Sequence, residues 1–260
     1  MSMAVPPIRE MTYGDLTVSV YPDNQTLGQA AAEAAAAIIR QAIAERGIAN
    51  VILATGNSQL TTLHALREMP GIHWPAVNVF HMDEYLNLPP GHPASFPLFL
   101  RRHLLDHVPL GAFYPVPGHP ANVEAACRGY ELLLRAHPAD LCCLGIGENG
   151  HLAFNDPPVA DFSDPVWVKV VPLDEASRRQ QVGEGHFPSL ATVPTQALTL
   201  TIPALRAAKK MLCIVPEKRK AEAVRKTLLG PITTACPASI LRQTPHCHLF
   251  LDRDSASEIG

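Results

Sequence analysis

The chain has 260 residues, of which 47% are hydrophobic and 17% charged, and its formal net charge is −3. That length suits one large α/β domain, which buries roughly three quarters of the surface its unfolded form exposes and needs no disulfide or metal to hold a core. A pI near 6.4 and scattered basic residues exclude nucleic acid or an anionic membrane as the main partner, so an anionic ligand has to be held by a local site.

The opening segment, MSMAVPPIREMTYGDL, lacks a basic stretch followed by an apolar one, and no run of about 18 apolar residues follows. A cytoplasmic protein is expected. The six cysteines form no CxxC pair, and Cys142 and Cys143 adjoin inside an apolar run. They read as reduced core thiols, with no metal site.

Residues 1–15 read as an N-terminal extension. Leu16–Tyr21 is the first expected strand, and Pro22-Asp23-Asn24 then supplies turn and N-cap chemistry for a helix over about 25–46. Gly47 suits the residue just past its end, because a positive φ costs glycine little. Residues 50–55 and 77–82 read as buried strands, with helices over about 58–69, 95–108 and 121–136. The run 139–146 is apolar on both faces, as a central parallel strand is. Further strands are expected at 166–171, 197–202, 211–215 and 248–251, with a helix at 218–229. The polar stretch 174–193, with Gly183 and Gly185, is the expected lid, and 253–260 the C-terminal tail. Alternation of strand and helix implies an α/β fold: a doubly wound, mostly parallel sheet with helices on both faces, a Rossmann-like three-layer sandwich over 16–252. Ligands then bind where loops leave the carboxyl ends of the strands.

Three such exits carry polar chemistry. Thr55-Gly56-Asn57-Ser58 joins a strand to a helix, and helix-start N–H groups with two hydroxyls suit an anion. The same residues also fit an ordinary turn with Ser58 as N-cap. His81-Met82-Asp83-Glu84-Tyr85 closes another strand. It reads either as a carboxylate base beside a substrate C–H or as a helix cap with a solvated Glu. The third exit, LGIGENGHLAFNDP, bends sharply through Gly145, Gly147 and Gly150 and delivers His151, with Asn149 and Asp156 close enough to orient its ring. An imidazole in that setting suits acid/base work.

Taken in order, FHMDEYLNLPPGHPASFPLFLRRHLLDHV, LGIGENGHLAFNDP and VPTQALTLTI resemble the glucosamine-6-phosphate deaminase family, with the likeness running from about Leu16 to Asp252. The resemblance implies conversion of glucosamine 6-phosphate to fructose 6-phosphate and ammonia, with no metal or organic cofactor. It makes Asp83 the base that moves a proton between C2 and C1, and His151 the group that opens the sugar ring, with Asn149 and Asp156 setting its protonation. It matches Gly56, Asn57 and Ser58 to a phosphate loop, with the Thr55 hydroxyl beside them, and Lys220 to a basic phosphate ligand. Glu84, Gly147 and Gly150 fall among the substrate-binding positions. A lid arginine is also expected on phosphate, and Arg179 is assigned here beside Arg178. Asn149 and Asp156 stand where other members have Asp and Glu. Another amino-sugar phosphate, a 6-phosphogluconolactonase-like hydrolysis and a non-catalytic sugar-phosphate sensor are the alternatives. A homo-oligomer is compatible with the sequence.

Overall fold

The apolar runs pair into two sheets rather than one. A computed structural model describes residues 6–89 and 91–260. The strands are β1 (Arg9–Tyr13), β2 (Leu16–Tyr21), β3 (Ala49–Leu53), β4 (Val77–His81), β5 (Asp83–Tyr85), β6 (Ala112–Tyr114), β7 (Leu141–Leu144), β8 (Val168–Pro172), β9 (Gln196–Leu200), β10 (Lys210–Val215) and β11 (Cys247–Asp252). The helices are α1 (Asn24–Arg46), α2 (Leu60–Arg67), α3 (Phe96–His103), α4 (Val123–Ala136), α5 (Glu175–Gly183), α6 (Ile202–Arg206) and α7 (Ala221–Leu229). Among the described residues no helix is long and apolar enough to cross a membrane.

The large sheet has the order β1-β2-β11-β10-β7-β3-β4-β6. Only the β1–β2 pair is antiparallel. Successive residues of β7 feed opposite cores: Cys142 and Leu144 enter one, Leu141 and Cys143 the other. Two covered faces are why the central strands are apolar throughout rather than alternating. The helix α1 covers one face. Asp23 caps it by accepting from Thr26 N at 2.7 Å, and Gly47 ends it with φ 76. Its alanines are small enough to let the helix lie close on the strands. The doubly wound, three-layer expectation holds.

Winding reverses beside β3. From β3 the chain runs outward through β4 to β6; from β7 it runs the other way through β10 to β11. Loops leaving β3 and β7 therefore part to opposite sides and leave a crevice at the carboxyl edge.

The expected strands at 166–171 and 197–202 lie outside this sheet. As β8 and β9 they form a separate antiparallel sheet with β5, in the order β5-β9-β8. β8 leaves Lys169 and Val170 half-buried, the mark of a partly covered sheet, which an apolar count does not separate from a central strand. Only Met82 separates β4 from β5, and its carbonyl accepts from Leu200 N at 2.7 Å. The chain thus crosses from one sheet to the other at Met82. The supposed N-terminal extension is also corrected. Residues 9–13 are an edge strand, paired because Tyr13 to Leu16 closes a tight hairpin, while residues 1–5 lie outside the described residues. The tail is packed: Ser255, Ala256 and Ile259 are buried, and Arg9 donates to Ile259 O at 2.9 Å.

Candidate active site

The crevice between β3 and β7 opens into a cleft of about 620 Å³ of non-atom space, open solvent at its mouth included. Thr55, Gly56, Asn57 and Ser58 form one wall. Gly56 adopts φ 99 and ψ 164, yet a Cβ there would touch nothing, so the backbone angle rather than space demands glycine. A single 3₁₀ turn, Asn57–Gln59, follows and runs into α2. Ser58 makes no capping bond, which removes the ordinary N-cap reading. Gln59, unnoticed in the sequence, is buried; its Nε2 donates to Ile214 O of β10 at 3.3 Å and pins the loop across the switch point. Lys220 reaches the same cleft from the turn after β10 and is 3% exposed. Burial lowers its ammonium pKa, as does Arg219 beside it.

Asp83 lines the cleft and is 7% exposed. Burial pushes its carboxyl well above the usual range, and the charges of Glu84 and Asp156 push the same way. Glu84 points elsewhere, which corrects its placement among the substrate-binding residues. Alternation along β5 turns it to the opposite side, where it accepts from Tyr85 N at 2.8 Å, Ser95 Oγ at 2.9 Å and Phe96 N at 3.2 Å. It caps α3 from outside, and Phe96, the first residue of that helix, lines the cleft. Burial raises the Glu84 carboxyl to about 7 against the opposing pull of those donors.

His151 lines the cleft with Nδ1 held 2.9 Å from Asp156 Oδ1. Ser177 of α5, absent from the sequence reading, donates to the same oxygen at 2.5 Å and sits 3.1 Å from Nδ1. Burial alone would raise Asp156; hydrogen bonds and charge from His151, with Asn149 and Ser177, override it and bring the carboxyl to about 2. An ionised Asp156 accepts the Nδ1 proton, leaving Nε2 as the nitrogen that carries a lone pair. Asn149 does not touch the ring. It donates to Asp156 Oδ1 at 2.9 Å and accepts from His151 N at 3.0 Å, so it fixes the loop and the carboxylate. A Cβ on Gly147 would lie 2.1–2.3 Å from the imidazole, so glycine lets the ring rest against the backbone. Gly150 is no part of the wall. With φ 86 it closes a turn onto Gly147 O, and a Cβ there would lie 2.8 Å from Cys236 Sγ.

The expected lid folds as α5 and a 3₁₀ turn at Leu190–Thr192, and sends Gln180, Gln181 and Glu184 to the cleft. Neither of its arginines reaches it. Arg178 donates to Leu190 O at 2.7 Å and Val193 O at 3.1 Å. Arg179, assigned to phosphate from the sequence, is 68% exposed and paired with Glu175 one turn earlier. The i, i+4 spacing on an exposed helix face explains that pairing. Among the described residues no three His, Cys, Asp or Glu side chains group as they would around a metal ion. The cleft instead is lined together by the 55–58 loop, a buried ammonium, a carboxyl and an imidazole, groups able to bind an anion and to move protons.

The sequence profile described as glucosamine-6-phosphate isomerases/6-phosphogluconolactonase matches residues 22–249. Proteins named glucosamine-6-phosphate deaminase from Bacillus cytotoxicus and Bacillus thuringiensis are each 34% identical over 226 residues, covering 87% of this chain and 84% of theirs. A solved structure of a monomeric glucosamine-6-phosphate deaminase superposes with a TM-score of 0.85 at 31% identity, over 93% of this chain and 99% of the other. A 6-phosphogluconolactonase from Shewanella baltica superposes at 0.75 over 93% of this chain and 98% of its own, at 19% identity, and so shares the fold.

Proposed function

The chain belongs to the glucosamine-6-phosphate isomerase/6-phosphogluconolactonase family, and we propose that it converts glucosamine 6-phosphate to fructose 6-phosphate and ammonia. The observation that carries this reading is that Asp83 and His151, from different strand exits, line one cleft with Lys220 and the 55–58 loop. The relatives named above at 34% and 31% identity bear the deaminase name, which supports that branch over the lactonases.

The phosphate docks on the loop and Lys220, and this fixes the far end of the sugar over the two proton-transfer groups. His151 Nε2 takes the proton of the C1 hydroxyl and returns it to the ring oxygen, which opens the ring to an aldehyde. Asp156 keeps the imidazole in the Nδ1–H tautomer and steadies the imidazolium formed on the way. Because Asp156 supplies a direct anion to the ring, a neutral Asn149 suffices at its own position. The aldehyde acidifies C2–H, and Asp83 removes that proton to give an enolamine. A carboxylate whose proton affinity is raised by burial suits this step better than an exposed one. The same carboxyl, its proton exchanged with solvent, then protonates C1. The resulting imine at C2 adds water and expels ammonia. Buried thiols at Cys142, Cys143, Cys213, Cys236 and Cys247 fit a reducing, cytoplasmic setting.

The test is an ammonia assay on glucosamine 6-phosphate in deuterated water, with deuterium expected at C1 of the fructose 6-phosphate. A lactonase or a sensor gives neither ammonia nor label. Asp83→Asn is expected to lower turnover by roughly 10³-fold or more while sparing product binding. His151→Gln is expected to slow the ring form far more than an open-chain analogue, and equal slowing of both would remove it from ring opening.

A further inference from the structure

The cleft is short of positive charge for the ligand it is read to hold. A phosphate monoester carries close to two negative charges near neutral pH. Among the described lining residues Lys220 is the one lysine or arginine, while Asp83 and Glu184 are acidic. Both lid arginines are engaged elsewhere. The next cation is Arg219, adjacent to Lys220, and three carboxylates hold it. Its Nε donates to Glu217 Oε2 at 2.6 Å, and its Nη1 lies 2.7 Å from Glu184 Oε1 and 3.2 Å from Glu148 Oε1.

Glu184 is the unusual member of this group. The Glu148 and Glu217 side chains are 44% and 36% exposed, but the Glu184 side chain is 6% exposed and lines the cleft. Burial should favour its neutral form, yet donors from His186, Arg219 and Gln180 bring its carboxyl down to about 2. A lid carboxylate therefore sits ionised in the wall of a site meant for an anion, held by an arginine next to the phosphate lysine. Arg219 is meanwhile braced from its other side. Glu217 adopts φ 81, and its N–H is held by both oxygens of Asp252 at 3.0 and 3.2 Å, so the Nε contact is fixed to the end of β11. A guanidinium can keep that bond through Nε and still exchange the acceptor on its outer edge.

We propose that Arg219 is the second phosphate ligand of this site, and that Glu184 occupies its donor until substrate arrives. The incoming phosphate takes Nη1 from Glu184, and the displaced carboxylate moves outward with the segment that follows α5. The inference rests on reading the cleft as a sugar-phosphate site. It makes the lid sensitive to bound phosphate, because the contact that phosphate breaks is the one tying Glu184 to the turn that carries Lys220.

Calorimetric titration of inorganic phosphate and of fructose 6-phosphate tests it without turnover. Arg219→Gln is expected to weaken both ligands roughly tenfold or more. Glu184→Gln is expected to tighten both several-fold, since it removes the competitor. Placed on top of Arg219→Gln, Glu184→Gln is expected to change affinity by less than about twofold, because nothing is left to compete for. Arg219→Lys, which keeps the charge but loses the fork, is expected to fall between wild type and Arg219→Gln. Weakened binding in Glu184→Gln would make the pair a structural brace and overturn the proposal. Wild-type affinity in Arg219→Gln would overturn it as well. Ammonia release by the wild type is scored separately, so a true deaminase that fails the Glu184 test discards the exchange alone. A chain that binds neither ligand discards the sugar-phosphate reading with it.

Discussion

Two histidines stand at strand exits, His81 and His151, and residue type alone treats them alike. His81 is fully buried; its Nε2 accepts from Val116 N at 2.7 Å, and burial lowers its pKa to about 3, so it is a neutral structural ring. His151 meets the cleft. What separated them in the sequence was company: glycines and two polar orienters beside His151. Adjacency misled at Glu84, next to Asp83 but turned away from the cleft. Its burial has a measurable consequence. The folded state holds the Glu84 proton up to about 7, whereas the unfolded chain releases it near 4.5. Between those values the folded state binds the extra proton, so stability is expected to fall as pH rises, by up to about 3 kcal/mol. Asp156 acts with the opposite sign: its stabilisation is present above the ordinary value of 3.8 and is lost as pH falls toward about 2. Denaturant melts between about pH 5 and about pH 7 check the first effect. Glu84→Gln is expected to flatten the slope, and an unchanged slope would assign it to other groups.

At the scale of elements, the 55–58 loop depends on how closely two helices approach. Gly28 of α1 faces Thr61 of α2; a Cβ at Gly28 would lie 2.6 Å from the Thr61 side chain and 2.9 Å from its carbonyl carbon. Asn24 accepts from Thr61 Oγ1 at 2.8 Å and sets the same distance. Because α2 grows directly out of residues 55–59, moving it moves the loop. Gly28→Ala gains about 1 kcal/mol of helix propensity but overpacks a backbone contact at about 1–3 kcal/mol. We expect a net loss of stability in denaturant melts and weaker binding of inorganic phosphate. A neutral melt with unchanged affinity would mean that the helices separate freely. Elements with strong local signals were legible: Asp23 and Gly47 bound α1 as their chemistry dictates, and β2 follows its apolar run. β6 and β5 were not, because three-residue strands carry too little pattern and owe their form to neighbours.

The whole molecule decides which thiols are reachable. Cys142, Cys143, Cys213, Cys236 and Cys247 are buried, while Cys127 on α4 is partly exposed. A thiol reagent is expected to react quickly with about one cysteine per native chain, and with the others only at the rate of unfolding. Cys127→Ser should remove the fast phase; a second fast thiol, with Cys236 beneath Gly150 the first suspect, would show that the His151 loop opens in the native state.

Periodicity, glycine placement and capping chemistry determined the α/β class, the order of most elements and the three strand exits that meet at the cleft, because those properties act within a few residues of one another. Motif and resemblance also pointed to Asp83, His151 and Lys220, which line one cleft, and to Asp156, which holds the His151 ring. Only the tertiary structure decided that β5, β8 and β9 leave the main sheet, that Ser177 completes the Asp156–His151 contact, and that Arg179 faces solvent while Arg219 sits beside Lys220. Each of those outcomes turns on strand pairing or side-chain direction between segments far apart in the chain, where burial and charge compensation are settled collectively rather than by local pattern.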